Sequence, residues 1–185
     1  MVIQEDTRQK PGKHDIKHEY FSANDVGIVR CKLPFGDYAR IPSISIDTKE
    51  NMDEIATNIC GPEHKRFINE CKAAKAAGCV LVILVENTVG ITDISEVHNW
   101  VNPRIIFSNK CIQGPQLQKA METISERYGV RFMFCKPEDS GKIITDENGT
   151  KYVIVNVPDQ NTVFMHPFSL TPDSPIGRPK FKRHD

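Results

Sequence analysis

Two aspartates and one lysine, Asp37, Asp47 and Lys49, are the residues of this sequence whose types and spacing favour chemistry. Asp37 lies in a turn-forming segment, residues 34–38, and Asp47 and Lys49 follow in a segment where apolar and polar residues alternate. Alternate side chains of a β-strand point to the same side, so Asp47 and Lys49 share one face. The spacing therefore predicts a strand–turn–strand unit that brings two carboxylates and an ammonium group together.

A site of this kind suits magnesium, which binds through carboxylates, keeps several waters and shares phosphate oxygens. A bound divalent cation ionises water and stabilises a reacting phosphate oxygen. Lys49 stays cationic beside carboxylates, so we expect it to orient the water and screen charge in the transition state rather than to act as the base. The Asp-x-Lys spacing alone is common, and a solvated edge strand with a charged face is the alternative that it leaves open.

Four sequence elements occur in an order that resembles the nuclease domain of the XPF family of structure-specific endonucleases. The family pattern is a first-strand Asp-x-Arg-Glu motif, a Gly-Asp-Tyr turn and a strand that reads Glu-Arg-Lys-x-x-x-Asp. The corresponding segments of this chain are Asp6-Thr7-Arg8-Gln9, Phe35-Gly36-Asp37-Tyr38, Ile46-Asp47-Thr48-Lys49 and Asp53. The resemblance covers residues 1–136, including the helix and the apolar strand that follow the motifs.

The resemblance implies an α/β fold with a restriction-endonuclease-like core, in which helices flank a mixed central sheet. It also implies that the protein is an endonuclease that cleaves DNA with Mg²⁺, or with Mn²⁺ as a substitute. By motif position, Asp37, Asp47 and Lys49 are the catalytic residues. The implied metal ligands are Asp37, Asp47 and Thr48.

Three more positions are implied to support the site. Asp53 matches the final acidic position of the pattern, where it would lie near the metal or support Lys49. Asp6 would lie close to the same site, and Arg8 would brace Asp6 or contact a phosphate.

The sequence departs from the family pattern at three motif positions. Asp47 replaces a glutamate, Thr48 replaces an arginine, and Gln9 replaces a glutamate. No tandem helix-hairpin-helix segment and no helicase motif are present, and these modules help such enzymes to select branched DNA. Specificity for DNA junctions therefore does not follow from the resemblance.

A basic cluster, His64, Lys65 and Arg66, near the start of a predicted helix is interpreted as a DNA-binding patch, because cationic side chains contact phosphates. A solvated helix face is the alternative. Glu70, further along the same helix, is expected to be exposed. His14 and His18 have the spacing of a helix face, and surface positions are preferred for them over metal ligation.

Composition excludes some classes of protein. The 24 basic and 24 acidic residues balance, which argues against binding of nucleic acid by bulk charge. The six cysteines form no CxxC pair and are interpreted as buried free thiols. Residues 1–9 contain no apolar stretch of the kind a signal peptide needs. The free thiols and this absence together predict a reducing, cytoplasmic compartment, with nucleoid association in a bacterial or phage protein.

Strands that alternate with helices predict the α/β sheet. A long helix is expected over residues 52–77 with a break at Gly61-Pro62, and a buried strand over residues 80–85. Further helices are expected over residues 94–101 and over residues 117–128, the latter ended by Gly129. A late strand is expected at residues 151–157, paired across Asn148-Gly149. Residues 1–157 are predicted to form the nuclease domain, and residues 158–185, which are proline-rich and basic, a flexible tail.

Two other functions remain open at this point. One is a catalytically inactive nuclease fold that binds DNA or a partner subunit. The other, a small-molecule α/β enzyme, is disfavoured because the sequence has no glycine-rich phosphate loop or Ser elbow. The expected roles are repair, recombination or phage and mobile-element DNA processing. A homodimer or a nuclease partner subunit is possible, with residues 80–85 and 117–128 as candidate contact segments.

Overall fold

The described part of the chain comprises residues 1–10, 12–40, 44–108 and 111–149 of a computed structural model. Its strands are β1 (Val2–Asp6), β2 (Gly27–Cys31), β3 (Tyr38–Arg40), β4 (Ile44–Lys49), β5 (Val80–Glu86) and β6 (Arg131–Cys135). Its α-helices are α1 (Asp15–Ala23), α2 (Met52–Cys60), α3 (His64–Ala76), α4 (Gly114–Tyr128) and α5 (Ser140–Gly149). The strand expected at residues 151–157, the tail at 158–185 and the boundary between them lie outside the described residues.

The six strands form one mixed sheet in the order β2-β1-β3-β4-β5-β6. Strand β3 is antiparallel to both β1 and β4, whereas β1 pairs with β2, and β4 with β5 and β5 with β6, in parallel. The other five strands therefore all end at the edge of the sheet where β3 begins. This arrangement is the mixed central sheet with flanking helices that the resemblance implied.

Strand β4 is internal to the sheet, and all six of its residues are buried. In the register with β5, Asp47 lies beside Ile83 and Lys49 beside Val85. These β5 residues belong to the hydrophobic core that also contains the apolar sides of α2, α3 and α4. The solvated edge strand is therefore excluded, because Asp47 and Lys49 project towards a covered face of the sheet.

The helix boundaries follow the turn residues. The long helical segment is broken at Gly61-Pro62 into α2 and α3, as predicted, and α4 ends at Gly129, whose φ of 71° is favourable only for glycine. The helix expected from residue 94 is instead a 3₁₀ helix, Ile94–Asn99, followed by two more, Pro103–Ile106 and Pro137–Asp139. Within the described residues, no helix has both the length and the apolar character needed to cross a bilayer.

Two elements were not predicted. Strand β3 has three residues, too few for a pattern, and it directly follows the turn. Residues 148 and 149, expected to form a hairpin turn, lie at the end of α5 instead. Helix α5 packs on α1 so closely that a Cβ at Gly141 would lie 2.7 Å from Tyr20 Cβ.

The segments expected to form dimer contacts contribute to the core. Leu117 and Met121 of α4 are completely buried, and β5 is an inner strand of the sheet. A dimer stays a prediction. All six cysteines are free, as expected, but only Cys71, Cys79 and Cys135 are buried. Cys31 and Cys111 are partly buried, and Cys60 is exposed.

Candidate active site

The turn before β3 places Asp37 beside the end of β4. The Asp37 main-chain N–H donates to the Ile46 carbonyl at 2.7 Å, and Asp6 N donates to the Asp37 carbonyl at 2.8 Å. Gly36 has a φ of +70°, and a Cβ there would lie 2.3 Å from Ser45 Oγ. Glycine is therefore required at this position, both for its backbone conformation and for the close approach of the turn to β4.

The Asp37 carboxylate is held against β4 by Thr48. Asp37 Oδ2 accepts hydrogen bonds from Thr48 N at 2.9 Å and from Thr48 Oγ1 at 2.5 Å. The Thr48 hydroxyl therefore orients Asp37 in this structure. A role for Thr48 as a metal ligand stays a prediction.

Asp47 and Lys49 form a buried ion pair, with Lys49 Nζ 2.5 Å from Asp47 Oδ2 and the side chains 4% and 9% exposed for Lys49 and Asp47, respectively. Burial, together with the negative charges of Asp37 and Glu70, raises the pKa of Asp47 to about 7 against the opposing effect of Lys49. Burial opposes the charged form of Lys49, but the neighbouring carboxylate of Asp47 outweighs it and raises the lysine pKa. The ammonium is therefore retained at neutral pH.

The ion pair borders a solvent-open cleft of about 800 Å³. The predicted site residues that line this cleft are Asp6, Arg8, Asp37, Asp47 and Arg66. Lys49 lies behind Asp47, in contact with it. The structure thus brings together side chains from β1, the turn, β4 and α3.

Asp6 and Arg8 form an ion pair at the end of β1, in which both carboxylate oxygens of Asp6 accept hydrogen bonds. Asp6 accepts from Arg8 Nε at 2.8 Å, from Arg8 Nη2 at 2.6 Å and from Leu33 N at 2.9 Å. The hydrogen bonds from Arg8 hold the pKa of Asp6 at about 2. Asp6 therefore braces the site and is not poised to ligate a cation, whereas the largely exposed Arg8 faces the cleft.

The three residues of the predicted DNA-binding patch, His64, Lys65 and Arg66, lie in different environments. Arg66 lines the cleft and is largely exposed, with Nε 2.8 Å from Glu63 Oε2. His64 Nδ1 lies 2.5 Å from the Ile59 carbonyl, which joins α3 to the end of α2. Lys65 is exposed but is not among the residues that line the cleft. Only Arg66 of this patch is therefore placed at the site.

Asp53 does not reach the site. Its Oδ2 lies 2.7 Å from Arg104 Nη2, and both residues line a separate cavity of about 330 Å³. Residues Asp53, Ala56 and Cys60 fall on one face of α2, and this face is turned away from the cleft. The next residue, Glu54, lies closer to Lys49, and its negative charge makes a small contribution to raising the lysine pKa.

Glu70 is a site residue that the sequence reasoning placed on an exposed surface. Its side chain is 16% exposed, lines the cleft, and accepts a hydrogen bond from Gly36 N at 2.8 Å. The helical spacing could have indicated this position of Glu70. Arg66, Glu70 and Ala73 lie along one side of α3, next to its buried residues.

His14 is not a surface histidine as expected, whereas the His18 side chain is 43% exposed. His14 is buried, with Nδ1 2.9 Å from the Tyr38 hydroxyl, and burial lowers its pKa to about 4. His18 Nε2 lies 2.6 Å from Glu5 Oε1. Both rings connect α1 to the sheet.

The donor set fits a largely hydrated divalent cation. In the described residues, no group of three His, Cys, Asp or Glu side chains is close enough to hold a metal ion directly. Asp37 and Asp47 nevertheless border the same open cleft. Two carboxylates suit Mg²⁺, which keeps several of its waters.

Neither a family model nor a curated protein matches this sequence. Among solved structures, XPF from Aeropyrum pernix superimposes with a TM-score of 0.59 at 18% identity, covering 80% of this chain and 63% of that one. The same protein in complex with DNA gives a TM-score of 0.57 at 19% identity, covering 78% and 62%. The chain thus spans less than two thirds of these structures, and the similarity confirms the XPF-like α/β fold.

Proposed function

We propose that this protein hydrolyses phosphodiester bonds of DNA with Mg²⁺, or Mn²⁺ in its place, bound at Asp37 and Asp47. The observation that carries the proposal is the buried Asp47–Lys49 pair beside Asp37 in an open cleft. A buried ion pair is weak evidence for stability, since apolar residues of similar volume often serve as well. A strongly raised pKa in a cleft is instead typical of functional sites. The XPF-like fold, known also in a complex with DNA, supports the same reaction.

The roles of the side chains follow from their contacts. When bound, the cation supplies an ionised water and offsets charge on the phosphate. Thr48 holds Asp37 in one orientation, and Asp47 fixes the Lys49 ammonium, which stabilises developing negative charge. The guanidinium groups of Arg8 and Arg66 are exposed at the cleft and are suited to contact phosphates along the DNA.

A cleavage panel tests this function. Purified protein is incubated with linear duplex, single-stranded, flapped and four-way DNA, with Mg²⁺ or with EDTA, beside the Lys49→Met and Asp37→Asn variants. We expect Mg²⁺-dependent nicking by wild type and none by either folded variant. Absence of cleavage of all four substrates by wild type, or full activity in both variants, would contradict the proposal.

A second candidate is an inactive nuclease fold that binds DNA or a partner subunit. The lack of three directly ligating side chains in the described residues favours it. Calorimetric titration with Mg²⁺ separates the two candidates, because an active enzyme must bind the cation and an inactive module need not. A role in repair, recombination or phage DNA processing belongs to the same proposal and depends on the substrate preferred in the panel.

A further inference from the structure

Glu70 is a carboxylate of the cleft that the reaction proposed above does not use. It lies on α3 and lines the cleft together with Asp37 and Asp47. Its Oε1 accepts the Gly36 main-chain N–H at 2.8 Å. The carboxylate is thus joined to the residue that immediately precedes Asp37.

The charge of Glu70 is only partly balanced. Arg66 Nη1 is 4.0 Å from Glu70 Oε2, at the outer limit of an ion pair, whereas Arg66 Nε is 2.8 Å from Glu63 Oε2. The Glu70 side chain is also mostly shielded, at 16% exposure, so water screens its charge less than that of a surface glutamate. A helix residue that served only to hold the turn would not need a charge here, since a neutral amide accepts the same hydrogen bond.

We propose that Glu70 is a positioning carboxylate of the divalent-cation site, which acts through a water molecule of the hydrated cation. This inference rests on the proposed function, because it assumes the cation at Asp37 and Asp47. Indirect action is consistent with the described residues, where no three side chains are grouped for direct ligation. Partners that bond to metal ligands or to metal-bound water are an established means of strengthening a site.

The experiment measures Mn²⁺ binding to the full chain by calorimetry and by the loss of the free Mn²⁺ electron paramagnetic resonance signal, without DNA. The test variant is Glu70→Gln, which keeps an acceptor oxygen for Gly36 N and removes the charge. Glu126→Gln, an exposed carboxylate on α4, is the matched control. Thermal unfolding of each variant checks that the fold is retained.

We expect Glu70→Gln to bind Mn²⁺ about 10–100-fold more weakly than wild type, and Glu126→Gln to bind like wild type. We expect Glu70→Ala, which lacks both the charge and the hydrogen bond, to be at least as weak. If Gln restored wild-type affinity and only Ala were impaired, Glu70 would be merely structural and the inference would be overturned.

The proposed function is tested separately by Asp47→Asn in the same titration. Normal affinity in Glu70→Gln together with lost affinity in Asp47→Asn overturns the role of Glu70 alone. Absence of Mn²⁺ binding by wild type overturns the cation site itself, and the role of Glu70 with it.

Discussion

Replacement of Lys49 by methionine should destabilise the protein strongly at alkaline pH and weakly at acidic pH. Lys49 Nζ lies 2.5 Å from Asp47 Oδ2, and both side chains are shielded from solvent. Removal of the ammonium leaves a buried carboxylate without its cation, which typically costs about 3–5 kcal/mol. Methionine resembles the aliphatic part of lysine, so the change isolates the electrostatic effect.

The pH dependence arises from Asp47, whose pKa in the folded protein is raised to about 7 from an ordinary value of 3.8. Between these two pH values the folded protein holds a proton that the unfolded chain has released, so the free energy of unfolding falls as the pH rises. A difference of about three in pKa corresponds to roughly 4 kcal/mol. Loss of Lys49 raises the folded pKa further, so in the variant the fall continues into the alkaline range.

Urea unfolding at about pH 5 and about pH 8.5 measures this effect. We expect Lys49→Met to be close to wild type at the lower pH, and about 3–5 kcal/mol less stable at the higher pH. The exposed Lys72→Met, on α3, serves as the control. The double variant Asp47→Asn/Lys49→Met should regain most of the lost stability. A loss that is equal at both pH values, or absent at alkaline pH, would refute this reasoning.

Three further outcomes are expected. Mn²⁺ affinity should rise as the pH increases through about 7, because Asp47 must be ionised to bind a cation, and calorimetry at several pH values would show a flat profile if this is wrong. Gly36→Ala should lose about 1–3 kcal/mol or more of stability in urea unfolding, since its φ is +70° and its Cβ would overlap Ser45 Oγ. Arg66→Ala should weaken DNA binding and lower the salt dependence by about one phosphate contact, whereas Lys65→Ala should change both less, as measured by fluorescence anisotropy at several salt concentrations.

The sequence predicted the elements in which the spacing of apolar residues matches the pattern of burial. The alternation in β4 correctly assigned Asp47 and Lys49 to one face, and the unbroken apolar run of β5 correctly indicated an inner strand. Helix α4 and its terminal Gly129 were predicted for the same reason, because local pattern and tertiary environment agree there. These signals were sufficient to predict that Asp47 and Lys49 lie together on one face of an inner strand.

The remaining residues depended on contacts between distant segments. The burial of His14 is due to Tyr38, which the turn brings beneath α1, and no local pattern contains that pairing. Motif position alone could not show that Asp53 faces Arg104 rather than the cleft, since the direction depends on how α2 lies on the sheet. Glu70 was missed because its partner, Gly36, is 34 residues away.

The reversed strand β3 makes the site depend on an exact count of residues. Asp37 immediately precedes β3, and Asp47 lies near the end of the antiparallel β4. Both aspartates are therefore at the same end of the sheet. A deletion of one residue within β4 would exchange its two sides, sending the isoleucines towards the cleft and the charged pair into the opposite layer. Homologous chains should therefore show almost no insertions or deletions within β4.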